Sequence, residues 1–368
     1  MGVVSREIAC TNPNPTVRGA GEPLEMHSSG GTVAPKLDAI QALRAIPASA
    51  AVLVHINAFH VLGTWGIDLF FAISGFIMCY VTARNDPNFF LKRVIRIAPL
   101  YWIGTLAVFA IALVMPTLLN SSKANPVQLM KSLAFVPYEK SPGVTQPLLF
   151  LGWTLEYEVL FYVIFAACLA LNHRLRGWIC SAVLLSIALV GYLVDFKALP
   201  LHFWTSSIVI EFVPGIVAYG LWTLIRDWQP GRGARIGLTL AGIATIVVMN
   251  ETSPLVDKYG QEWRFLIGGL PSLACFLLLT LAWTGLRLPR LVTLTGDASY
   301  SLYLFHPYLV VVALRALHMH AHPAPVSWAL GVLLYAACVG AAILCYRWIE
   351  RPMTDGLRRR LVKRPRVI

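Results

Sequence analysis

Ten apolar stretches, at 39–61, 66–83, 97–115, 148–171, 178–194, 205–225, 236–249, 265–284, 298–315 and 326–347, follow one another with little between them. A helix needs about 20 mostly apolar residues to cross the hydrocarbon layer of a bilayer. Lipid offers no water to an unpaired backbone group, so segments of this kind fold as helices that satisfy their own hydrogen bonds. The expected fold class is all-α, a polytopic membrane helix bundle of about ten transmembrane helices. Composition agrees, with 57% hydrophobic and 13% charged residues against about 25% charged in a soluble domain. A disordered chain, a disulfide-rich secreted module and a soluble nucleic-acid binder are excluded, although the net charge is +12.

The rest of the chain divides simply. Residues 1–37 are rich in Pro, Gly, Ser and Asn and lack the apolar core of a signal peptide, so they read as a flexible N-terminal tail. Residues 38–350 form the membrane domain, and 351–368 a basic cytoplasmic tail. The seven cysteines show no CxxC spacing, and all but Cys10 sit in or beside apolar runs. They read as small hydrophobes. The loop at 116–147 is the longest connection, and either lines an outward acceptor groove or simply joins two spans.

Cytoplasmic loops hold the Lys and Arg excess of a membrane protein. With the N-terminus inside, the inner segments and the C-terminal tail carry nineteen Lys and Arg, and the outer segments, where Arg264 is counted, carry seven. Both termini are therefore expected in the cytoplasm. The basic tail also suits anionic lipid headgroups.

Titratable side chains inside a bilayer are costly and mark candidate sites. Arg44 and His55 lie eleven residues apart on the first span, about three turns and roughly 16 Å along one face. Pro47 between them is expected to kink that helix. Arg93 and Arg96, just before the third span, share a helical face and suit a phosphate clamp. Glu156 and Glu158 in the fourth span point about 200° apart and cannot serve one pocket together. In GDASYSLYLFHP, Asp297 is placed to cap the ninth helix and His306 falls near mid-span. Each group alone has a structural reading too: a snorkelling arginine, a topology signal, an acid paired with a buried cation, a histidine satisfied within the bundle.

Together with GIDLFFAISGFIM at 66–78 and RVIRIAPLYW at 93–102, these segments resemble the acyltransferase-3 family of bacterial membrane acyltransferases. The family's Arg, ten residues and His is matched by Arg44 and His55, its Arg-x-x-Arg by Arg93 and Arg96, its span-four Glu by Glu158, and its late Ser-Tyr-Ser-Leu-Tyr-Leu-x-His by Ser299 to His306. WTLEYE looks more like the stand-alone exopolysaccharide O-acetyltransferases than the longer members with a soluble esterase-like domain. Glu156 departs from the pattern, where a small or neutral polar residue is expected.

The resemblance implies a multi-pass protein of the bacterial inner membrane. It implies transfer of an acyl group, usually acetyl, from acyl-coenzyme A to a hydroxyl of a carbohydrate or lipid-linked sugar, with acetyl-CoA as donor substrate, no metal and no nucleic acid. Arg44, Arg93 and Arg96 would then bind the donor phosphates. His55 is expected to take the acceptor proton, Glu158 to orient its imidazole, and His306 to be the second-choice base or a hydrogen-bond partner of the thioester carbonyl. A transient acyl-histidine stays open. The competing reading is a transporter or flippase for an anionic glycolipid or organic acid, because buried Arg, His and Glu also mark substrate paths.

Overall fold

The computed structural model of the protein describes residues 38–57, 59, 61, 64–83, 88–115, 124–194, 196–317 and 324–362. The tail over 1–37, Cys10, His60, Arg84, Pro116 and the last six residues lie outside them. Among the described residues fifteen α-helices run in order: α1 (Asp38–Ile56), α2 (Trp65–Val81), α3 (Phe89–Val114), α4 (Pro126–Leu133), α5 (Gly152–Leu171), α6 (Arg176–Leu193), α7 (Leu199–Trp204), α8 (Val213–Ile225), α9 (Arg232–Thr252), α10 (Pro254–Tyr259), α11 (Leu270–Trp283), α12 (Arg290–Asp297), α13 (Ser299–Leu317), α14 (Ala324–Cys345) and α15 (Arg351–Leu361). A short antiparallel hairpin, β1 (Glu139–Ser141) and β2 (Val144–Thr145), lies between α4 and α5.

Among the described residues, nine helical segments are long and apolar enough to cross a membrane, and the 17-residue α2 is a shorter apolar tenth. They correspond one to one with the ten stretches of the sequence. The protein is a multi-pass membrane protein. Its outward faces carry exposed apolar side chains such as Leu113, Leu189, Leu224 and Val312, which a lipid solvent accepts and water would not.

α1 is the hub, packing on α2, α11, α12, α13 and α14. Its small residues allow this, since Ala42, Ala45, Ala48 and Ala50 are all buried against neighbours. Pro47 does not interrupt it: α1 runs unbroken from Asp38 to Ile56 with Pro47 buried. α2 and α8 approach still more closely, because a methyl on Gly75 would lie 2.2 Å from the Phe212 carbonyl oxygen and one on Gly215 would lie 1.8 Å from that of Ala72.

Three details differ from the sequence reading. α3 begins at Phe89, so Arg93 and Arg96 lie in its first two turns and not in a loop before it. Asp297 is the last residue of α12, with Ala298 between it and α13, so it closes one helix instead of capping the next. Arg264, counted above as an outer-loop charge, is buried: its Nε donates to Asp68 Oδ1 at 2.6 Å, its Nη2 to Thr64 Oγ1 at 3.2 Å. Glu211, also buried, interacts electrostatically with that pair.

Candidate active site

The segment Ser299 to His306 fixes four parts of the bundle to one helix. Positions 300, 301, 303 and 306 point around α13, and each polar tip finds a different partner. The Tyr300 hydroxyl donates to the Ile97 carbonyl of α3 at 2.7 Å. Ser301 Oγ donates to Glu350 Oε2 at 2.6 Å, in the π-helical turn Tyr346–Glu350. The Tyr303 hydroxyl bonds Thr154 Oγ1 of α5 at 2.8 Å. His306 reaches His55 of α1, with Nε2 3.2 Å from His55 Nδ1.

The geometry of this imidazole pair sets its tautomers. His306 Nδ1 is 2.9 Å from the Leu302 carbonyl oxygen, and His55 Nδ1 is 2.7 Å from that of Ala51. A carbonyl only accepts, so both Nδ1 atoms carry hydrogen in the neutral rings. His306 Nε2 is then a lone pair facing the His55 Nδ1–H, which is shared between it and Ala51. The consequence falls on His55 Nε2, which is left as a lone pair and has no hydrogen-bond partner among the described residues. His306 is fully buried behind the pair, whereas His55 is half-buried with the Phe150 ring edge-on at 5.8 Å.

The second assembly lies toward the N-terminal end of α1. Arg96 pairs with the buried Glu350 at 3.2 Å. Arg44 interacts electrostatically with Arg96, Glu350, Asp297 and Glu158, and Glu158 interacts with Arg44 and Arg93. The sequence-predicted arginines therefore converge. Glu158 does not join His55, however. It accepts hydrogen bonds from Ser74 Oγ at 3.1 Å and from the Tyr162 hydroxyl. Glu158, expected to orient the His55 imidazole, makes no hydrogen bond to it here; His55 Nδ1 faces the Ala51 carbonyl and His306 Nε2 instead. Glu156 faces away, buried, with neither carboxylate oxygen hydrogen-bonded among the described residues; nothing in the structure explains an acid there.

Sequence reasoning missed Glu350, which, with Ser301 of the Ser299 to His306 motif, ties the C-terminal end of the membrane domain to the arginines. The only available signal was a single acid, in RWIERP, at the edge of a basic segment.

Fold and site together define a multi-pass membrane protein whose half-buried His55 has one ring nitrogen without a hydrogen-bond partner among the described residues, some turns along α1 from a cluster of arginines. The chain belongs to the acyltransferase family, since residues 37–347 match the family described as "Acyltransferase domain", and it is an acyltransferase. It is 32% identical over 309 residues to the exopolysaccharide production protein ExoZ of Rhizobium meliloti, covering 82% of this chain and 92% of that protein. It is 24% identical over 360 residues to the putative peptidoglycan O-acetyltransferase YrhL of Bacillus subtilis, covering 87% of this chain and 55% of the other. Identity to the O-acetyltransferase OatA of Staphylococcus aureus is 23% over 353 residues, covering 86% and 57%. The chain thus spans little more than half the length of these two O-acetyltransferases. No solved structure matches it.

Proposed function

We propose that this protein is a membrane O-acyltransferase that moves an acetyl or other short acyl group from acyl-coenzyme A to a sugar hydroxyl of an exported polysaccharide or glycolipid. The observation that carries the reading is His55. Its Nε2 lone pair is left open by the Nδ1 bonds, and it shares α1 with Arg44, roughly 16 Å nearer the arginine cluster.

A hydroxyl is a poor nucleophile until something removes its proton. The acceptor hydroxyl would place its hydrogen on His55 Nε2 while its oxygen attacks the thioester carbonyl carbon. The C–O bond forms, the C–S bond breaks, and the proton held at Nε2 passes to the departing thiolate. During the transfer His55 is an imidazolium. Its Nδ1–H then donates to the Ala51 carbonyl and the His306 Nε2 lone pair, both fixed by the bundle before the charge develops. His306 is in this scheme a positioning and charge-stabilising group, the place a carboxylate holds in a triad.

At the other end, coenzyme A brings several phosphate charges, which Arg44, Arg93 and Arg96 match with forked, permanently charged donors. Glu158 holds that cluster together and makes no contact with the reacting atoms. The two assemblies sit at the two ends of a long, narrow donor: phosphates at the arginines, thioester at the histidines. Similarity to an exopolysaccharide production protein and to two O-acetyltransferases supports a sugar acceptor and acetyl as the acyl group. The excess of basic residues at the arginine-bearing end supports a cytoplasmic donor site in a bacterial inner membrane.

The test is a labelled-acetyl assay on the purified, lipid-reconstituted full chain with acetyl-coenzyme A and a polysaccharide acceptor. Label transferred to the acceptor, or slow release of free coenzyme A when the acceptor is withheld, is the expected result. A protein that binds acidic glycolipid and releases no coenzyme A under either condition sinks the reading.

A further inference from the structure

The C-terminal helix α15 lies beyond the residues that match the family. It follows the π-helical turn Tyr346–Glu350 without a break, and its start is set by Pro352 in the first turn. It packs on α3, the helix that carries Arg93 and Arg96. Thr354 is buried, and Arg358, four residues on and so on the same face, is turned inward and half-buried, while Arg351, Arg359 and Arg360 are exposed. A basic tail held only for lipid headgroups would present its arginines outward. This one directs a single guanidinium into the cluster.

Arg358 interacts electrostatically with both Arg93 and Arg96. Bringing a third guanidinium against two others raises like-charge repulsion, and burial takes away the water that would screen it. Among the described residues, Arg358 Nε and Arg96 Nη2 are buried without a hydrogen-bond partner, although Arg96 Nη1 has Glu350. Buried donors on permanently charged groups are costly to leave unmade. Two such donors, on different helices and in one electrostatic cluster, call for an anion with several oxygens.

We propose that α15 closes the arginine cluster and that Arg358 is a phosphate-binding residue of the acyl-donor site, gripping phosphate oxygens together with Arg96. The inference rests on the reading of acyl-coenzyme A as donor. Glu350 has a matching part: by holding Arg96 at one nitrogen and Ser301 at the other carboxylate oxygen, it sets the end of the last span from which α15 departs. The chain segment that grips the donor is thereby connected to the helix that carries His306.

The experiment is a binding titration of coenzyme A, dephospho-coenzyme A and phosphate-free pantetheine against the purified full chain, comparing wild type with Arg358→Gln, Arg358→Lys and Arg359→Gln. Losing a charge-assisted bond predicts coenzyme A binding weakened about tenfold or more in Arg358→Gln. Arg358→Lys, which keeps the charge but not the fork, should recover part of the loss. Arg359→Gln should stay within about twofold of wild type, as expected for an exposed surface charge. The wild-type preference for coenzyme A over pantetheine should narrow in Arg358→Gln alone. Coenzyme A binding equal to wild type in Arg358→Gln overturns the inference while leaving the donor reading intact. Absence of coenzyme A binding by wild type overturns both. A parallel arm in nanodiscs, with and without phosphatidylglycerol, separates the two sources of phosphate: if Arg358→Gln loses only the response to the anionic lipid, the residue is a headgroup site and the donor assignment is wrong.

Discussion

In the proposed reaction His55 and His306 divide one task between two rings, and the division has a measurable signature. If His55 Nε2 exchanges the proton as proposed, His55→Gln, which keeps a polar side chain but removes the base, should lower turnover by on the order of 10² to 10⁴ with donor binding retained. His306 in that scheme acts through a hydrogen bond that strengthens once His55 is charged. A bond to a charged group contributes roughly 1.5–3 kcal/mol, so His306→Leu should lower kcat by roughly 10- to 100-fold. His306→Gln can still offer an oxygen to the His55 Nδ1–H and should recover part of that loss. Steady-state kinetics of the three variants in correctly inserted protein decide the matter: a His306→Gln protein as inactive as His55→Gln would make His306 the base. At this scale the sequence was informative where a costly residue stood alone in an apolar run. Arg44, His55 and His306 declared themselves in that way. The partner of His55 did not: the sequence pointed to Glu158, and only the packing of α13 on α1 places His306 Nε2 3.2 Å away. Glu350 was invisible for a related reason: its link to Arg96 spans 254 residues of chain, and nothing in either local sequence encodes the other.

Helices packed in lipid gain little from hydrophobic burial against one another, so close contact of small residues carries much of their association. The α2–α8 contact is the plainest case. Gly215→Ala would put a methyl 1.8 Å from the Ala72 carbonyl oxygen, and Gly75→Ala one 2.2 Å from that of Phe212. Both oxygens are backbone, so the helices themselves must separate, and overpacking of this kind costs about 1–3 kcal/mol. Gly220→Ala, also on α8 but with nothing within 4 Å of the added methyl, should leave stability unchanged or improved. Thermal unfolding in detergent should therefore rank Gly220→Ala at or above wild type and the other two below it; three equal midpoints would mean that these helices do not meet through their glycines. A second test at this scale concerns the ion pair that joins α2 to the chain before α11. Arg264 and Asp68 side chains are 4% and 3% exposed, so Arg264→Ala strands a buried carboxylate and should destabilise by about 3–5 kcal/mol. Arg264→Ala unfolding at the wild-type temperature would show that the pair is solvated. The element boundaries explain why the sequence did not show that Arg264 is buried. Hydropathy marks where a span ends by where charge begins, so a charge buried one residue before an apolar run is counted as loop.

Over the whole molecule, two independent readings must agree on how the chain threads the bilayer. Apolar length yields nine long helical segments and α2, and the division of Lys and Arg, nineteen against seven, assigns sides without reference to length. The ten-helix count was legible because hydropathy is summed over some twenty residues and survives local error. The interior of the connection between α3 and α5 was not, since α4 and the β1–β2 hairpin are short, polar and held by tertiary bonds such as Trp102 Nε1 to the Leu133 carbonyl at 2.9 Å. That hairpin now supplies a probe. Its exposed turn at Pro142 and Gly143 is separated from the end of α15 by seven crossings, and the exposed turn at Asp227 by four. An odd number of crossings puts two sites on opposite faces, an even number on the same face. A reporter in the 142–143 turn should therefore face away from one placed after Leu361, and a reporter beside Asp227 should face the same way as it, with the last two in the cytoplasm because the basic residues are retained there. The orientation also constrains the chemistry. A donor made in the cytoplasm can reach Arg93, Arg96 and Arg358 only if the end of α15 lies on that side. Reporters that place the C-terminus outside would leave the arginine cluster facing a compartment without coenzyme A, and the donor assignment would fall with the topology.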